Sequence, residues 1–313
     1  MTCARSFWLL LPLLALTASC AARGTVPTGA HHGGPPEFGV LVMAHGGSAE
    51  WNGGVLDAVD PLRDRYPLEV AFGMADAVSI QETVRKLEAR GVRKIGVVRL
   101  FISGESWYER TEQILGLRSG APAAPDATTA AHEAGHAGHD HSMEFWRVQT
   151  EASFALTTRG LAESEAMGTV LADRARALSR HPQREVVLIL AHGPGDDSEN
   201  QRWVAHIDAR AETVRQALPF KRVEVMTLRE DWPEKREEAE RRIRTFVGTA
   251  AADGLTAIVI PFRVRGFGPY AQVLGGLEYI ADGQGLVPHA QVTEWIANQI
   301  EALRQGTFRS VAD

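Results

Sequence analysis

The sequence has very little cysteine and no excess of basic residues. Cys3 and Cys20 are its two cysteines, and both lie in the first twenty of 313 positions. A framework of disulfide bonds is therefore excluded for the rest of the chain. Lysine and arginine total 33 against 39 aspartate and glutamate, which gives a net charge of −6. The strongly basic composition typical of nucleic-acid-binding proteins is missing, and we predict no nucleic-acid partner.

Long hydrophobic runs are also scarce. The longest, FWLLLPLLAL at 7–16, follows Arg5 and is too short to span a bilayer, but it has the length of a signal-peptide core. The following LTASC resembles a bacterial lipobox, which predicts lipidation at Cys20; cleavage nearby without lipidation is the alternative. We expect 1–20 to be a signal segment and 21–36 a flexible tether. The predicted location is outside the cytoplasm, on a lipid anchor facing the periplasm or the cell exterior.

The remaining composition is that of an ordinary globular protein. Apolar residues make up 44% and charged residues 23% of the chain, and the length favours about two domains. Neither a Gly-x-Gly-x-x-Gly motif nor a Walker-type loop occurs, so we predict no nucleotide or organic cofactor.

Two halves of the chain carry the same order of predicted elements. Apolar runs at 39–44 and 186–191 have the continuous pattern of buried parallel strands, and each ends in His-Gly. Strands and helices then alternate in both halves, which indicates βαβ units and a duplication. The predicted strands are 39–44, 68–72, 94–102, 152–157, 186–191, 222–227 and 257–264; the predicted helices are 55–66, 79–90, 163–180, 201–218 and 233–252.

These repeated patterns resemble a known family. LVMAHGG and LILAHGP, the strand ends VVRLFISG and IVIPFRVRG, and GLAESEAMGTVLADRARALSRHP at 160–182 are similar to the CbiX/SirB family of class II chelatases, which insert Co²⁺ or Fe²⁺ into sirohydrochlorin. The resemblance implies an α/β fold with two tandem chelatase-like (flavodoxin-like) domains, each a parallel sheet flanked by helices. We place them at 37–182, with a His-rich insert at about 120–145, and 183–313.

His45 and His192 are the leading candidates for catalysis and metal binding. A residue directly after a parallel strand lies at the carboxyl edge of the sheet, where open α/β folds bind ligands. Imidazole suits Co²⁺, Ni²⁺, Fe²⁺ and Zn²⁺ and also accepts protons. Gly46 and Gly47 would let a flat substrate approach the backbone. The alternative is that each histidine only hydrogen-bonds a nearby loop.

The chain departs from the family pattern at two places. The resemblance implies a second histidine after the third strand, but 103–109 and 266–270 contain none. It also implies an acid after the second strand, where the first half has Met74 and the second half has acidic residues at 230–231. Glu105 or Glu109 is a candidate replacement ligand with a harder oxygen donor, and Glu105 is also a candidate catalytic residue; otherwise both are solvated loop carboxylates.

Three arginines are candidate substrate-binding residues. Arg263 and Arg265 are two apart on a predicted strand and so share a side, and Arg99 holds the matching place in the first half. Arginine binds carboxylates in a bidentate manner, and sirohydrochlorin carries eight of them. Salt bridges to acidic loops are the alternative. We expect Trp203 and Trp232, by contrast, to pack on the sheet.

A second candidate metal site is the run HEAGHAGHDH at 132–141. Its four histidines, separated by pliable glycines, can converge on one divalent ion; a low-complexity linker is the alternative. The predicted metal ligands here are His132, His136, His139 and His141.

The sequence thus predicts a chelatase-like protein that inserts Co²⁺ or Fe²⁺ into sirohydrochlorin or a related tetrapyrrole, with a divalent metal and the macrocycle as partners and a membrane contact only through the anchor. The rival prediction is an exported divalent-metal-binding or delivery lipoprotein without turnover.

Overall fold

The computed structural model of the protein describes residues 37–125 and 143–310. The predicted signal segment with Cys20, the tether and the histidines of 132–141 lie outside these ranges. Among the described residues, no helix is both long and apolar enough to cross a membrane.

The described chain forms two parallel sheets flanked by helices. The first sheet has the order β2-β1-β3-β4 and the second the order β6-β5-β7, with every strand pair parallel. The strands are β1 Phe38–Ala44, β2 Leu68–Phe72, β3 Lys94–Leu100, β4 Ser153–Leu156, β5 Glu185–Ala191, β6 Arg222–Thr227 and β7 Thr256–Phe262. The helices are α1 Ala49–Val59, α2 Ala77–Glu88, α3 Tyr108–Ile114, α4 Ala166–Leu178, α5 Asp197–Ala217, α6 Pro233–Ala252, α7 Tyr270–Val273 and α8 Ala290–Arg304.

The two sheets repeat one topology, as the duplicated sequence pattern predicts. In both, the first strand of the half is central, and its two chain successors pair on either side of it. A parallel bridge between Ile258 and Ile280 in the second half lies where β4 lies in the first. The predicted α/β class with parallel, helix-flanked sheets is confirmed.

Helix starts are set by side-chain caps directly after the strand-end turns. Ser48 Oγ accepts a hydrogen bond from the backbone N–H of Trp51, and Asp196 Oδ1 accepts one from that of Glu199. Such caps satisfy the first free N–H groups of a helix. Helix α1 therefore begins at Ala49, six residues before the predicted start.

Alternate residues of the central strand β1 enter two different cores. Val40 and Val42 pack with α1, α4, α5 and α8, whereas Leu41 and Met43 pack under α2. The first of these cores also contains β5 residues, so the halves share apolar packing. This is the expected result for a strand covered on both faces.

The last helix crosses back to the first sheet. Helix α8 packs against β3, and the chain beyond it pairs with β4 through two backbone hydrogen bonds between Phe154 and Arg309, 2.8 and 2.9 Å long. Thr293 Oγ1 also donates to the Ala58 carbonyl at 2.8 Å. The predicted division at 182/183 falls between α4 and β5, and it stays a prediction.

Candidate functional site

The carboxyl ends of the strands open onto one cleft shared by both halves. Its volume is about 560 Å³, and we call it the inter-half cleft. Ligand sites of open α/β folds occur at this edge of the sheet. The lining residues are His45, Trp51, Met74, Phe101, Ile102, Glu105, Ser106, Trp107, His192, Pro194, Gly195, Asp196, Glu199, Trp203, Asp231, Trp232, Arg263, Val264 and Arg265.

Two equivalent His-Gly turns supply the imidazoles of this cleft. His45 Nδ1 donates to the Gly46 carbonyl at 2.8 Å, and His192 Nδ1 donates to the Gly193 carbonyl at 2.7 Å. Both glycines have φ in the left-handed region, +82° and +78°, which glycine adopts without steric cost. Because a carbonyl only accepts, Nδ1 carries a proton in both rings, and Nε2 is the nitrogen of each ring that would bind a metal.

His192 has two carboxylate neighbours. Its Nε2 lies 3.0 Å from Asp231 Oδ2 and 4.0 Å from Glu230 Oε2, both after β6. The matching loop after β2 contributes Met74 to the cleft. A carboxylate only accepts, so the hydrogen that joins His192 Nε2 to Asp231 belongs to the imidazole. Within 37–125 and 143–310, no group of three or more His, Cys, Asp or Glu side chains is arranged to hold a metal ion.

Four tryptophans wall the cleft. The Trp51 ring lies 6.2 Å from that of His45, and the Trp232 ring lies edge-on at 6.0 Å from that of His192. The expectation that Trp203 and Trp232 pack on the sheet holds for the buried Trp203, although it also lines the cleft. It is wrong for Trp232, which directly precedes α6 and is 37% exposed.

Sequence reasoning missed Trp51 and Trp107. Each follows a strand-end turn, and that position was the available signal. Trp107 has φ +58°, a conformation that is an outlier for a bulky side chain. Strain of this kind clusters at ligand sites, and here it occurs on the loop that leads into α3 at the cleft.

Arg263 and Arg265 both line the cleft, although they follow β7 and do not lie on the strand as predicted. Arg263 is ion-paired with Glu230. Arg265 Nη2 lies 3.5 Å from Glu50 Oε1 in the other half, and its backbone carbonyl accepts from Trp51 Nε1 at 3.2 Å. These contacts tie the two halves together beside the site.

Arg99, in contrast, does not reach the cleft. Its residue is 1% exposed, and its guanidinium donates to the carbonyls of Thr157 at 2.8 Å, Gly104 at 2.9 Å and Ser106. Burial lowers the pKa of Arg99 to about 10. The prediction that Arg99 binds substrate is therefore wrong. The loop after β3 folds back over its side chain, and Arg99 holds that loop in place.

Glu105 lines the cleft, but both of its oxygens are engaged. Arg202 of α5 donates to them from Nε at 2.8 Å and from Nη2 at 2.6 Å. This pairing lowers the pKa of Glu105. To bind a metal, Glu105 would first have to break its ion pair with Arg202.

The pKa of Glu199 is shifted in the opposite direction from that of Glu105. Its carboxylate accepts from Trp203 Nε1 at 3.2 Å, and burial raises its pKa.

The predicted glycines, Gly46 and Gly47, are absent from the cleft lining within the described ranges. Gly47 instead leaves room for the Trp51 ring, since a Cβ there would lie 3.1 Å from Trp51 Cγ.

Comparison with known proteins identifies the fold. No family model matches the chain, and no curated protein matches it. The structure of SirB from Bacillus subtilis with Fe³⁺ superposes with a TM-score of 0.56 at 13% identity, covering 86% of this chain and 96% of that one. The sirohydrochlorin chelatase SirB from Bacillus subtilis subspecies spizizenii in complex with cobalt gives 0.51 at 13% identity, covering 86% and 95%. The described chain thus has the two-half chelatase fold of SirB, as the sequence resemblance predicts.

Proposed function

We propose that this protein binds a divalent metal ion and a flat tetrapyrrole, sirohydrochlorin or a related ring, in the inter-half cleft and transfers the metal into the ring. The observation that carries the proposal is the pair of Nδ1-anchored imidazoles on one tryptophan-walled cleft. The fold likeness to SirB, solved with Fe³⁺ and with cobalt, agrees with this function.

Metal insertion has two chemical requirements. The ring loses two N–H protons as the divalent ion enters, so the site needs a reversible metal ligand and a proton acceptor. Neutral imidazole serves as the ligand for Co²⁺, Fe²⁺, Ni²⁺ or Zn²⁺. His192 and Asp231 serve as the acceptors, because the imidazole and the carboxylate, 3.0 Å apart, can take one proton each.

We assign the two histidines different roles. In this proposal His45, beside Met74 and Trp51, first binds the metal, and His192 and Asp231 receive the two protons. The tryptophan faces hold the macrocycle and exclude water, and Arg263 and Arg265 bind its carboxylates.

Metal-dependent changes in macrocycle absorbance test the proposal. The protein is mixed with Co²⁺ and either sirohydrochlorin or a two-carboxylate porphyrin, beside His45→Ala, His192→Ala and the exposed His181→Ala as a control. We expect the parent and the control to exceed the spontaneous rate with at least one ring, and both cleft variants to fall at least tenfold. Insertion at the spontaneous rate with both rings refutes turnover.

Metal delivery without turnover is the second candidate, and the four histidines at 132–141 favour it. We propose that this segment feeds metal to the cleft. A variant lacking 132–141 should then slow insertion at low metal and match the parent at saturating metal. Metal binding that depends on this segment in a protein with no insertion activity would instead support delivery alone.

We also propose export and lipidation at Cys20, on the lipobox-like sequence. Mass spectrometry of the membrane fraction should find a chain that begins with diacylated Cys20. A full-length chain that retains Met1 in the cytoplasm would contradict both.

A further inference from the structure

The inter-half cleft has more negative than positive charge. Its lining holds four carboxylates and two guanidinium groups, and the ion-pair partners of these residues add two carboxylates and one guanidinium group. The carboxylates belong to Glu50, Glu105, Asp196, Glu199, Glu230 and Asp231, and the guanidinium groups to Arg202, Arg263 and Arg265.

Among the described residues, the arginines that line the cleft are confined to one segment. Arg263 and Arg265 follow β7 two residues apart, with Val264 between them, and all three line the cleft. Arg202 is held by both oxygens of Glu105. The acids at the start of α5, Asp196 and Glu199, meanwhile face the same space.

The two arginines differ in how readily they can exchange partners. The Glu230 side chain that pairs with Arg263 is only 11% exposed, whereas Glu50, 3.5 Å from Arg265, is 88% exposed. An exposed, weakly held carboxylate is easily replaced by another. Arg265 is thus the first anchor for a ligand carboxylate, and Arg263 is the second.

We infer that the cleft selects a tetrapyrrole with two carboxylates and an otherwise apolar edge, and discriminates against one with eight. This inference rests on the proposed function and names its substrate class: of the rings considered there, a two-carboxylate ring is preferred to sirohydrochlorin, which carries eight. Two adjacent arginines match two carboxylates, while further carboxylates meet like charges on Asp196, Glu199 and Asp231. The four tryptophans favour apolar substituents at the rest of the ring.

Quenching of tryptophan fluorescence by three free-base porphyrins tests the inference. Deuteroporphyrin, coproporphyrin and uroporphyrin share one macrocycle and carry two, four and eight carboxylates. We expect the affinity of the parent protein to fall at least tenfold from two to eight carboxylates. Higher ionic strength should narrow this gap, because salt screens the repulsion.

Two variants and a control locate the effect. Glu199→Gln keeps an acceptor for Trp203 Nε1 and should raise the affinity for uroporphyrin about threefold, with little change for deuteroporphyrin. Arg265→Gln should lower the affinity for deuteroporphyrin at least fivefold. Arg242→Gln, an exposed position on α6 outside the cleft lining, should leave both affinities unchanged.

The outcomes separate the two claims. Uroporphyrin bound as tightly as deuteroporphyrin, or more tightly, overturns the selectivity while leaving a tetrapyrrole site in place. Deuteroporphyrin binding that is unaffected by Arg265→Gln also overturns it, because the anchor is then elsewhere. Failure of all three porphyrins to bind also overturns the selectivity, and the insertion assay with sirohydrochlorin then decides the proposed function.

Discussion

Gly193 makes the His192 turn possible, and replacing it with alanine should damage both stability and activity. Its φ of +78° lies in the left-handed region, and its carbonyl accepts from His192 Nδ1 at 2.7 Å. An added Cβ would lie 2.6 Å from Thr227 Cβ and 2.9 Å from Asn200 Oδ1. The methyl group therefore meets a neighbouring strand and the 2.8 Å hydrogen bond between Thr227 and Asn200.

The expected loss of stability is about 2–4 kcal/mol. A left-handed conformation costs an L-residue roughly 1–2 kcal/mol, and overpacking typically costs about 1–3 kcal/mol. The lower entropy of the unfolded alanine chain offsets about 0.4–1 kcal/mol of this. Relief of the clash at Thr227 would also move the Gly193 carbonyl, so the metal-insertion rate of the folded variant should fall at least tenfold.

Urea unfolding followed by circular dichroism measures the first effect, with Gly248→Ala as the matched control. Gly248 lies inside α6 with nothing within 4 Å of an added Cβ, so this change should stabilise the protein by about 0.5–1 kcal/mol. A Gly193→Ala protein within 0.5 kcal/mol of the parent that also inserts metal at the parent rate would refute the role given to this turn.

Three further changes test separate parts of the structure. Arg99→Met should cost about 3–5 kcal/mol in urea unfolding, because three carbonyls lose their buried donor; a loss under 1 kcal/mol would contradict its structural role. Burial alone would raise the pKa of Glu185, but hydrogen bonds from the Ser179 hydroxyl and the N–H groups of Arg180 and His181 outweigh it and lower that pKa. The free energy of unfolding of the parent should therefore include this stabilisation above pH 4.5, the ordinary pKa of glutamate, and lose it as the pH falls further. For Glu185→Gln the free energy of unfolding should depend less on pH below 4.5, and identical pH profiles of the two proteins would contradict this. Trp232→Ala should weaken deuteroporphyrin binding about 2- to 10-fold and change the unfolding free energy by less than about 1 kcal/mol, since the side chain is already 37% exposed; unchanged porphyrin affinity would exclude contact with the ring.

The strands and their order could be predicted from the sequence, because buried parallel strands have continuous apolar runs. Strands β2 and β6 occur at the predicted residues, and helix α6 has the predicted bounds. The start of α1 was missed because two glycines, at 53 and 54, interrupt the helical pattern. The Ser48 cap and tertiary packing outweigh the low helix propensity of these glycines.

The site could be predicted only in part. The positions of His45 and His192 follow from the strand ends, since parallel strands bring their carboxyl ends to one edge. The burial of Arg99 could not be predicted, because the sequence around it does not indicate that a loop closes over its side chain. The pairing of Glu105 with Arg202 joins residues 97 positions apart, and such contacts depend on how the halves pack.

The proposed function requires a metal ion at the two His-Gly turns, and anomalous X-ray scattering from crystals soaked in Co²⁺ would locate it. We expect a cobalt peak in the inter-half cleft, about 2.1 Å from Nε2 of His45 or His192, as is usual for imidazole ligands. Nδ1 should keep its carbonyl partner in both rings. Cobalt peaks found only outside the cleft, with neither imidazole bound to metal, would contradict the account.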